Sequence, residues 1–178
     1  MMHSILENPT KLNMFRCLKG EIMSMIKVLF ICHGNICRST MAQYVLEDMV
    51  KKQGLEDLFE IDSAATSREE IGNGVHHGTR RKLAEMGIPC GDHCARQVTK
   101  ADYEYYDYLL IMDTNNRRNL LRIIGSDPQD KVHGLLDFSS DPRDIADPWY
   151  TGNFDVTYED IAEGCRDFLH FTLDRSQN

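Results

Sequence analysis

The chain has no excess of positive charge: 20 lysines and arginines stand against 28 aspartates and glutamates, a formal net charge of -8. A general affinity for nucleic acid or anionic lipid needs a basic face, so both are excluded as partners, while a local cationic pocket is not. No apolar stretch approaches the roughly 20 residues of a membrane span, and residues 1–24 lack the apolar core of a signal peptide. A cytoplasmic protein without membrane attachment is therefore expected. The six cysteines have no framework spacing, which fits a reducing compartment better than a secreted disulfide scaffold. Internal repeats and low-complexity segments are also missing. With 178 residues, 42% hydrophobic and 27% charged, the chain suits one globular domain with a sizeable core. Residues 1–24 show no clear periodicity and are expected to form a peripheral extension to a single domain spanning 25–178.

Against this background one stretch stands out. Ile26 to Cys32 is an apolar run rich in Ile, Val and Phe; it enters a loop containing Gly34 and Asn35 and closes on Arg38-Ser39-Thr40. The pattern reads as strand, anion cradle and helix start. Backbone N–H groups between a strand end and a helix start turn inward around one point, and the following helix adds partial positive charge there. A tetrahedral oxyanion in this bowl would meet the Cys32 sulfur on one face and the planar, bidentate Arg38 on its flank. The same field favours a thiolate, because thiols beside helix N-termini and cations ionise more readily. Cys32 is thus a candidate nucleophile. Gly34 and Asn35 supply positions tolerant of positive φ, and Ser39 and Thr40 supply caps.

Further along, Ala42, Val45, Leu46, Met49 and Val50 recur at helical spacing, ending near Lys51, Lys52 and Gly54. A second strand is expected over 58–65, a turn-rich link over 72–78, and a helix over 79–86 stopped by Gly87 and Pro89. Residues 99–106 read as helix, 108–112 as a short buried strand, 115–124 as a helix ending at Gly125, and 132–136 as the last strand. An amphipathic closing helix covers 157–173. His76-His77 reads as a solvated turn, and Tyr103, Tyr105, Tyr106 and Tyr108 as core. Strands alternating with helices imply an α/β, doubly wound three-layer sandwich with a central four-stranded parallel sheet flanked by helices. Ligands in such sheets lie beyond the C-terminal strand ends at a topological switch point, and Cys32 follows such an end.

A thiolate displaces a phosphate ester only if the departing oxygen is protonated or stable as an anion, so a general acid is needed. The polar, Pro-broken run from Ser139 to Tyr150 ends in two large aromatics beside carboxylates, a candidate wall for a flat substrate. Asp147 is the leading acid; Asp141 and Asp144 are its rivals.

Cys32-His-Gly-Asn-Ile-Cys-Arg-Ser39, Asp62-Ser-Ala-Ala-Thr-Ser67, Gly87-Ile-Pro89, Ala95-Arg-Gln97, Met112-Asp113 and Asp147-Pro-Trp-Tyr150 together resemble the low-molecular-weight protein tyrosine phosphatases. The matching motifs run in order from Ile26 to near the C-terminus. The resemblance implies that Cys32 forms a phosphocysteine intermediate, that Arg38 clamps the phosphate, and that Asp147 protonates the tyrosyl oxygen and later activates water. It assigns Ser39 to stabilising the sulfur, and Asn35, Ser63 and His93 to a hydrogen-bond network that holds the phosphate loop, which also contains His33, Gly34, Ile36 and Cys37. Trp149 and Tyr150 match the aromatic wall. Cys37 matches a second loop cysteine able to form a reversible disulfide with Cys32. No cofactor and no metal is implied, and the partners are phosphotyrosine-containing proteins. A tyrosine kinase acting on Tyr150 is a further candidate partner, and a monomer or weak dimer is expected.

Three positions depart from the family pattern. His33 replaces an aliphatic residue at the mouth, Thr40 replaces a proline, and Glu69 replaces an aromatic at the pocket edge, leaving a thinner and more acidic wall. Two relatives with the same loop set alternatives. Thioredoxin-coupled arsenate reductases need relay cysteines, but the relay begins where this chain has Met112, and Cys90 and Cys94 read as packing or surface residues. With His93 they lack a fourth metal ligand. Protein arginine phosphatases carry a small polar residue in place of Ile36. A non-catalytic phosphotyrosine-binding module is the remaining alternative, though nucleophile, clamp and acid are all present.

Overall fold

The computed structural model describes residues 24–175, so the expected extension lies outside the described residues apart from Ser24. The elements are β1 (Ile26–Cys32), α1 (Arg38–Lys52), β2 (Phe59–Ala65), α2 (His77–Glu85), α3 (Lys100–Tyr105), β3 (Tyr108–Ile111), α4 (Thr114–Ile124), β4 (Val132–Gly134), α5 (Pro148–Thr151) and α6 (Phe154–Arg175). Short 3-10 turns at Glu56–Leu58 and Leu135–Phe138 lead into β2 and out of β4.

The strands form one parallel sheet in the order β2-β1-β3-β4. β1 is central: Ile26 to Cys32 pair with Phe59 to Ala65 on one side, and Val28 to Ile31 with Tyr108 to Ile111 on the other. Its residues alternate between two cores, as the period of a strand requires. Val28 and Phe30 face the core built with α1 and α6, including Val45, Leu46, Phe168 and Leu169. Leu29 and Ile31 face the core built with α3 and α4, including Tyr103, Tyr106 and Leu120. All four of these β1 side chains are fully buried, which is why β1 is written as an unbroken apolar run from Val28 to Cys32. α6 lies close against the turn after β4, and Gly164 makes room for it: a Cβ there would sit 2.6 Å from Leu135 Cγ.

β1 has β2 on one side and β3 on the other, so the chain leaves it in one direction and returns past it. The crevice this reversal opens lies at the end of β1, beside Cys32. Several boundaries differ from those expected, and three of the differences have a side-chain cause. α2 begins at His77, because the His76 side chain accepts the Gly78 N–H and caps it. β4 stops at Gly134, where Asp137 accepts its N–H at 2.7 Å and turns the chain into the 3-10 turn. α6 begins at Phe154, because the Asn153 side chain accepts the Val156 N–H at 3.1 Å and starts the helix early. Tyr105 also departs from expectation: it is exposed, with its hydroxyl on Glu60 and the Lys27 ammonium over its ring. Among the described residues, no helix is long and apolar enough to cross a membrane.

Candidate active site

The loop from His33 to Cys37 wraps around the Cys32 sulfur and delivers the chain into α1. Asn35 sits at its centre, fully buried, with φ of +58°. A non-glycine residue in the left-handed region costs about 1–2 kcal/mol, a cost that surrounding bonds must offset. Here they do. The Asn35 Nδ2 donates to Ser39 Oγ at 3.0 Å and to Ser63 Oγ at 2.9 Å, while its Oδ1 accepts the Arg96 N–H at 3.2 Å. Its backbone carbonyl accepts from His93 Nε2 at 2.7 Å. Because a carbonyl only accepts, the His93 proton is on Nε2. Burial, the largest influence on His93, holds its pKa below the ordinary imidazole value.

The direction of every bond in this network follows from its two ends. Arg96 N–H can only donate and the Glu47 carboxylate accepts from Gln43 Nε2 at 3.0 Å, so both side-chain amides are oriented. Ser63 then donates to Gln43 Oε1 at 2.6 Å. Ser39 Oγ, already accepting from Asn35, has its own hydrogen left for Cys32 Sγ, 3.0 Å away. The Asn35 N–H also reaches Cys32 Sγ, at 3.3 Å. Two donors thus converge on one sulfur, an arrangement that stabilises negative charge developing there.

α1 opens without a side-chain cap on its N-cap residue, Cys37. Neither Ser39 nor Thr40 caps it, contrary to expectation: Ser39 serves the sulfur and Thr40 Oγ1 donates back to the Cys37 carbonyl at 2.9 Å. The orphan N–H groups of the first turn thus face the cradle, where a bound anion would satisfy them. Cys37 itself is buried, and burial, with Cys32 and Asp147 nearby, pushes its thiol up to about 12.

Arg38 is buried beneath the cavity, with both terminal nitrogens engaged. One terminal nitrogen donates to Asp113 and to the Ile145 carbonyl at 2.9 Å; the other donates to Asp147 Oδ2 at 2.7 Å. Burial works against its charge, and the neighbouring Cys32, Asp147 and Asp113 more than offset it, so its pKa is raised. Each carboxylate is held by a second bond. Asp113 caps α4 through the Asn116 N–H at 2.7 Å, and Asp147 caps α5 through the Trp149 N–H at 3.1 Å. The backbone around Asp147 is fixed by Ile145 N–H to the Met112 carbonyl, 2.8 Å, and by Thr157 Oγ1 to the Ala146 carbonyl, 3.2 Å.

One cavity joins Cys32, His33, Gly34, Ile36, Cys37 and Arg38 to Asp147, Trp149 and Tyr150, with Glu69 and Glu70 at its edge. Trp149 and Tyr150 are 59% and 83% exposed, so their faces are free for a ligand. His33 Nε2 meets Glu69 Oε2 at 2.9 Å across the rim. The rival carboxylates lie elsewhere: Asp144 accepts from the Thr114 N–H and hydroxyl, and Asp141 pairs with Arg143. Cys90 takes a contact from Arg80, Cys94 is exposed, and His93 between them is committed to the loop. Met112 is buried in the core.

Sequence reasoning missed Asp113, Gln43, Arg96 and His76. A signal existed for Asp113, which stands two residues after β3 and three residues before Asn116, the spacing of an N-cap beyond a strand's C-terminal end. Gln43 lies one helical turn beyond Ser39.

Comparison with known proteins agrees with the geometry. The family model for low molecular weight phosphotyrosine protein phosphatase matches residues 27–178. The low molecular weight protein-tyrosine-phosphatase YfkJ of Bacillus subtilis is 41% identical over 147 residues, covering 82% of this chain and 94% of its own. The crystal structure of YfkJ superposes with a TM-score of 0.82 at 38% identity, covering 87% of this chain and 98% of that one. The human low molecular weight phosphotyrosine protein phosphatase is 40% identical over 147 residues, covering 80% of this chain and 92% of its own. A Drosophila arginine phosphatase is similar in structure, with a TM-score of 0.74 at 29% identity, covering 83% of this chain and 98% of that one. With the loop, the clamp and the sheet all in agreement, the chain belongs to the low molecular weight phosphotyrosine protein phosphatase family.

Proposed function

We propose that the protein hydrolyses phosphotyrosine in proteins by two in-line displacements at phosphorus. The Cys32 sulfur attacks the phosphorus, the bond to the tyrosyl oxygen breaks, and Asp147 gives that oxygen its proton. In the second step a water attacks the phosphocysteine, its proton passes to the Asp147 carboxylate, and the P–S bond breaks. Ser39 and the Asn35 N–H receive the negative sulfur as it departs. Loop N–H groups and the start of α1 hold the equatorial oxygens. A bound phosphate offers Arg38 a bidentate partner in place of its contact with Asp147, releasing Asp147 Oδ2 toward the leaving oxygen.

The observation that carries this reading is the Cys32 sulfur with two donors aimed at it, in the same cavity as Arg38 and Asp147. Trp149 and Tyr150 support an aryl substrate, and phosphotyrosine-containing proteins are the partner class. The catalytic unit is residues 25–178, acting as a monomer or weak dimer in the cytoplasm.

Cys32→Ser is expected to lower turnover of a phosphotyrosyl peptide by about 10³-fold or more while phosphate binding persists. An unchanged rate would refute the nucleophile assignment. Side-by-side turnover of phosphotyrosine, phosphoarginine and arsenate tests the alternatives. The arginine phosphatase reading draws on the Drosophila relative, and Ile36 and the aromatic pair stand against it.

A further inference from the structure

His76 occupies a position that the sequence pattern marks as a solvated turn, yet it is half-buried and connects two parts of the site. Its backbone N–H donates to the Ile36 carbonyl, inside the phosphate loop, at 2.9 Å. Its ring stacks on Phe154 with centroids 5.5 Å apart and planes 8° apart, and meets Trp149 edge-on at 5.8 Å and 69°. Among the described residues His76 is the one ring in aromatic contact with Trp149. The contact depends on a close approach: Gly78 lies against the Phe154 ring, and any side chain at Gly78 would collide with it. His76 Nδ1 accepts the Gly78 N–H at 3.1 Å, so the neutral ring carries its proton on Nε2.

We propose that His76 is a positioning residue for the aryl wall, holding the Trp149 indole at a set height above the phosphate loop. The inference rests on the phosphotyrosine reading and deepens it. The distance between the phosphorus and the phenyl ring of a tyrosyl ester is fixed by covalent geometry, so a wall tied to the loop itself discriminates for that length. His76 makes the tie through its backbone to the loop and through its ring to the wall. It touches none of the reacting atoms.

The contact also has a titratable member. Burial, then the neighbouring His77, hold the His76 imidazole below its ordinary value, while Glu70, from the loop after β2, acts the other way. α5 and α6 present only the uncharged Trp149 and Phe154 to the ring. Protonation would place a hydrogen on Nδ1 facing the Gly78 N–H, converting the cap to two opposed donors.

Trp149 is the single tryptophan of the chain, so its emission reports on this contact directly. In the full-length protein without substrate, emission is expected to fall as pH is lowered, with a midpoint below the ordinary imidazole value of about 6.5, as the imidazolium quenches the indole. His76→Asn keeps an acceptor for the Gly78 N–H and removes the ring. It is expected to abolish the step and raise KM for a phosphotyrosyl peptide about three- to tenfold, with kcat within about twofold and no change for a small alkyl phosphate. His76→Phe restores the ring face and with it the KM. The proposal is overturned if His76→Asn leaves the emission step and KM unchanged, or if KM rises equally for the alkyl phosphate. Absence of phosphotyrosine turnover in the unsubstituted protein would instead refute the function, while the emission step still tests the contact.

Discussion

Across one cavity, Asn35 has no exposed surface and divides its polar atoms among Ser39, Ser63, Arg96, His93 and the Cys32 sulfur, whereas Tyr150 is 83% exposed and Trp149 59%. In the proposed function the first of these is the phosphate side, and it is assembled before any substrate arrives. Its bonds are satisfied internally, and its strained residue is held in place from both ends. The aryl side stands on a four-residue helix, α5, whose ring contact to the rest of the fold runs through His76. The contrast follows from what each side would recognise in the proposed reaction. A phosphoryl group has one geometry and one charge distribution, so a preorganised cradle loses nothing by rigidity. A tyrosine embedded in different proteins approaches with different flanks, and an exposed wall accommodates them.

The comparison can be tested from its largest expected effect downward. Asp147 belongs to the ordered side, so Asp147→Ala should slow turnover of a phenyl ester with a poor leaving group by about 10²- to 10⁴-fold. The loss should shrink with a good leaving group, and Asp144→Ala should produce no such pattern. A reversal of the two variants in a leaving-group series would show the acid to be misplaced.

Asn35→Gly relieves the left-handed backbone but deletes the side-chain bonds, and Asn35→Ala deletes the bonds and keeps the strain. Both should lower kcat by about tenfold or more, with Asn35→Ala less stable than Asn35→Gly by about 1 kcal/mol in chemical denaturation. Equal stabilities would mean that the side-chain network, not the backbone, dominates the loop.

On the exposed side, Trp149→Ala should cost only about three- to tenfold in KM for a phosphotyrosyl peptide, and little in kcat. A kcat loss as large as that of Asp147→Ala would dissolve the distinction between the two sides.

The smallest effect is a pH slope in stability. Burial lowers the His93 pKa in the folded protein, so near and below about 6.5 the unfolded chain binds more protons. Stability therefore rises with pH through that window and is lost as pH falls from about 6.5 toward the folded value. His76 is shifted in the same direction and adds to the slope. His93→Gln retains a donor for the Asn35 carbonyl and should flatten the His93 share, read as denaturation midpoints at pH 7 and pH 5.5.

The phosphate side was legible in the residue order because β1, the loop and the start of α1 are contiguous, and the chemistry of Cys32 and Arg38 is written at fixed spacing. The two-sided burial of β1 was legible too, in its unbroken apolar run. Asp147 was readable as a carboxylate before proline and aromatics, although Asp141 and Asp144 shared its loop, and only the fold brings Asp147 to Arg38. Asp113 was legible as an N-cap but not as a partner of Arg38, and Arg96 was not legible as a partner of Asn35, because these pairs meet across 75 and 61 positions of chain. His76 was misread for a related reason: its neighbours in sequence are turn residues, while Phe154 and Trp149 reach it from a distant part of the chain. Thr40 shows the opposite error, a residue with the right chemistry for a cap whose hydroxyl is directed elsewhere.

The sharing of Arg38 between Asp113 and Asp147 bears on what an entering ligand must displace. Both terminal nitrogens of the guanidinium are already committed, one to Asp113 and the Ile145 carbonyl and the other to Asp147. A ligand that takes Arg38 through two parallel bonds does so in competition with these partners. The arginine therefore acts as a selector: it favours a ligand whose oxygens match the guanidinium fork better than the carboxylate they replace.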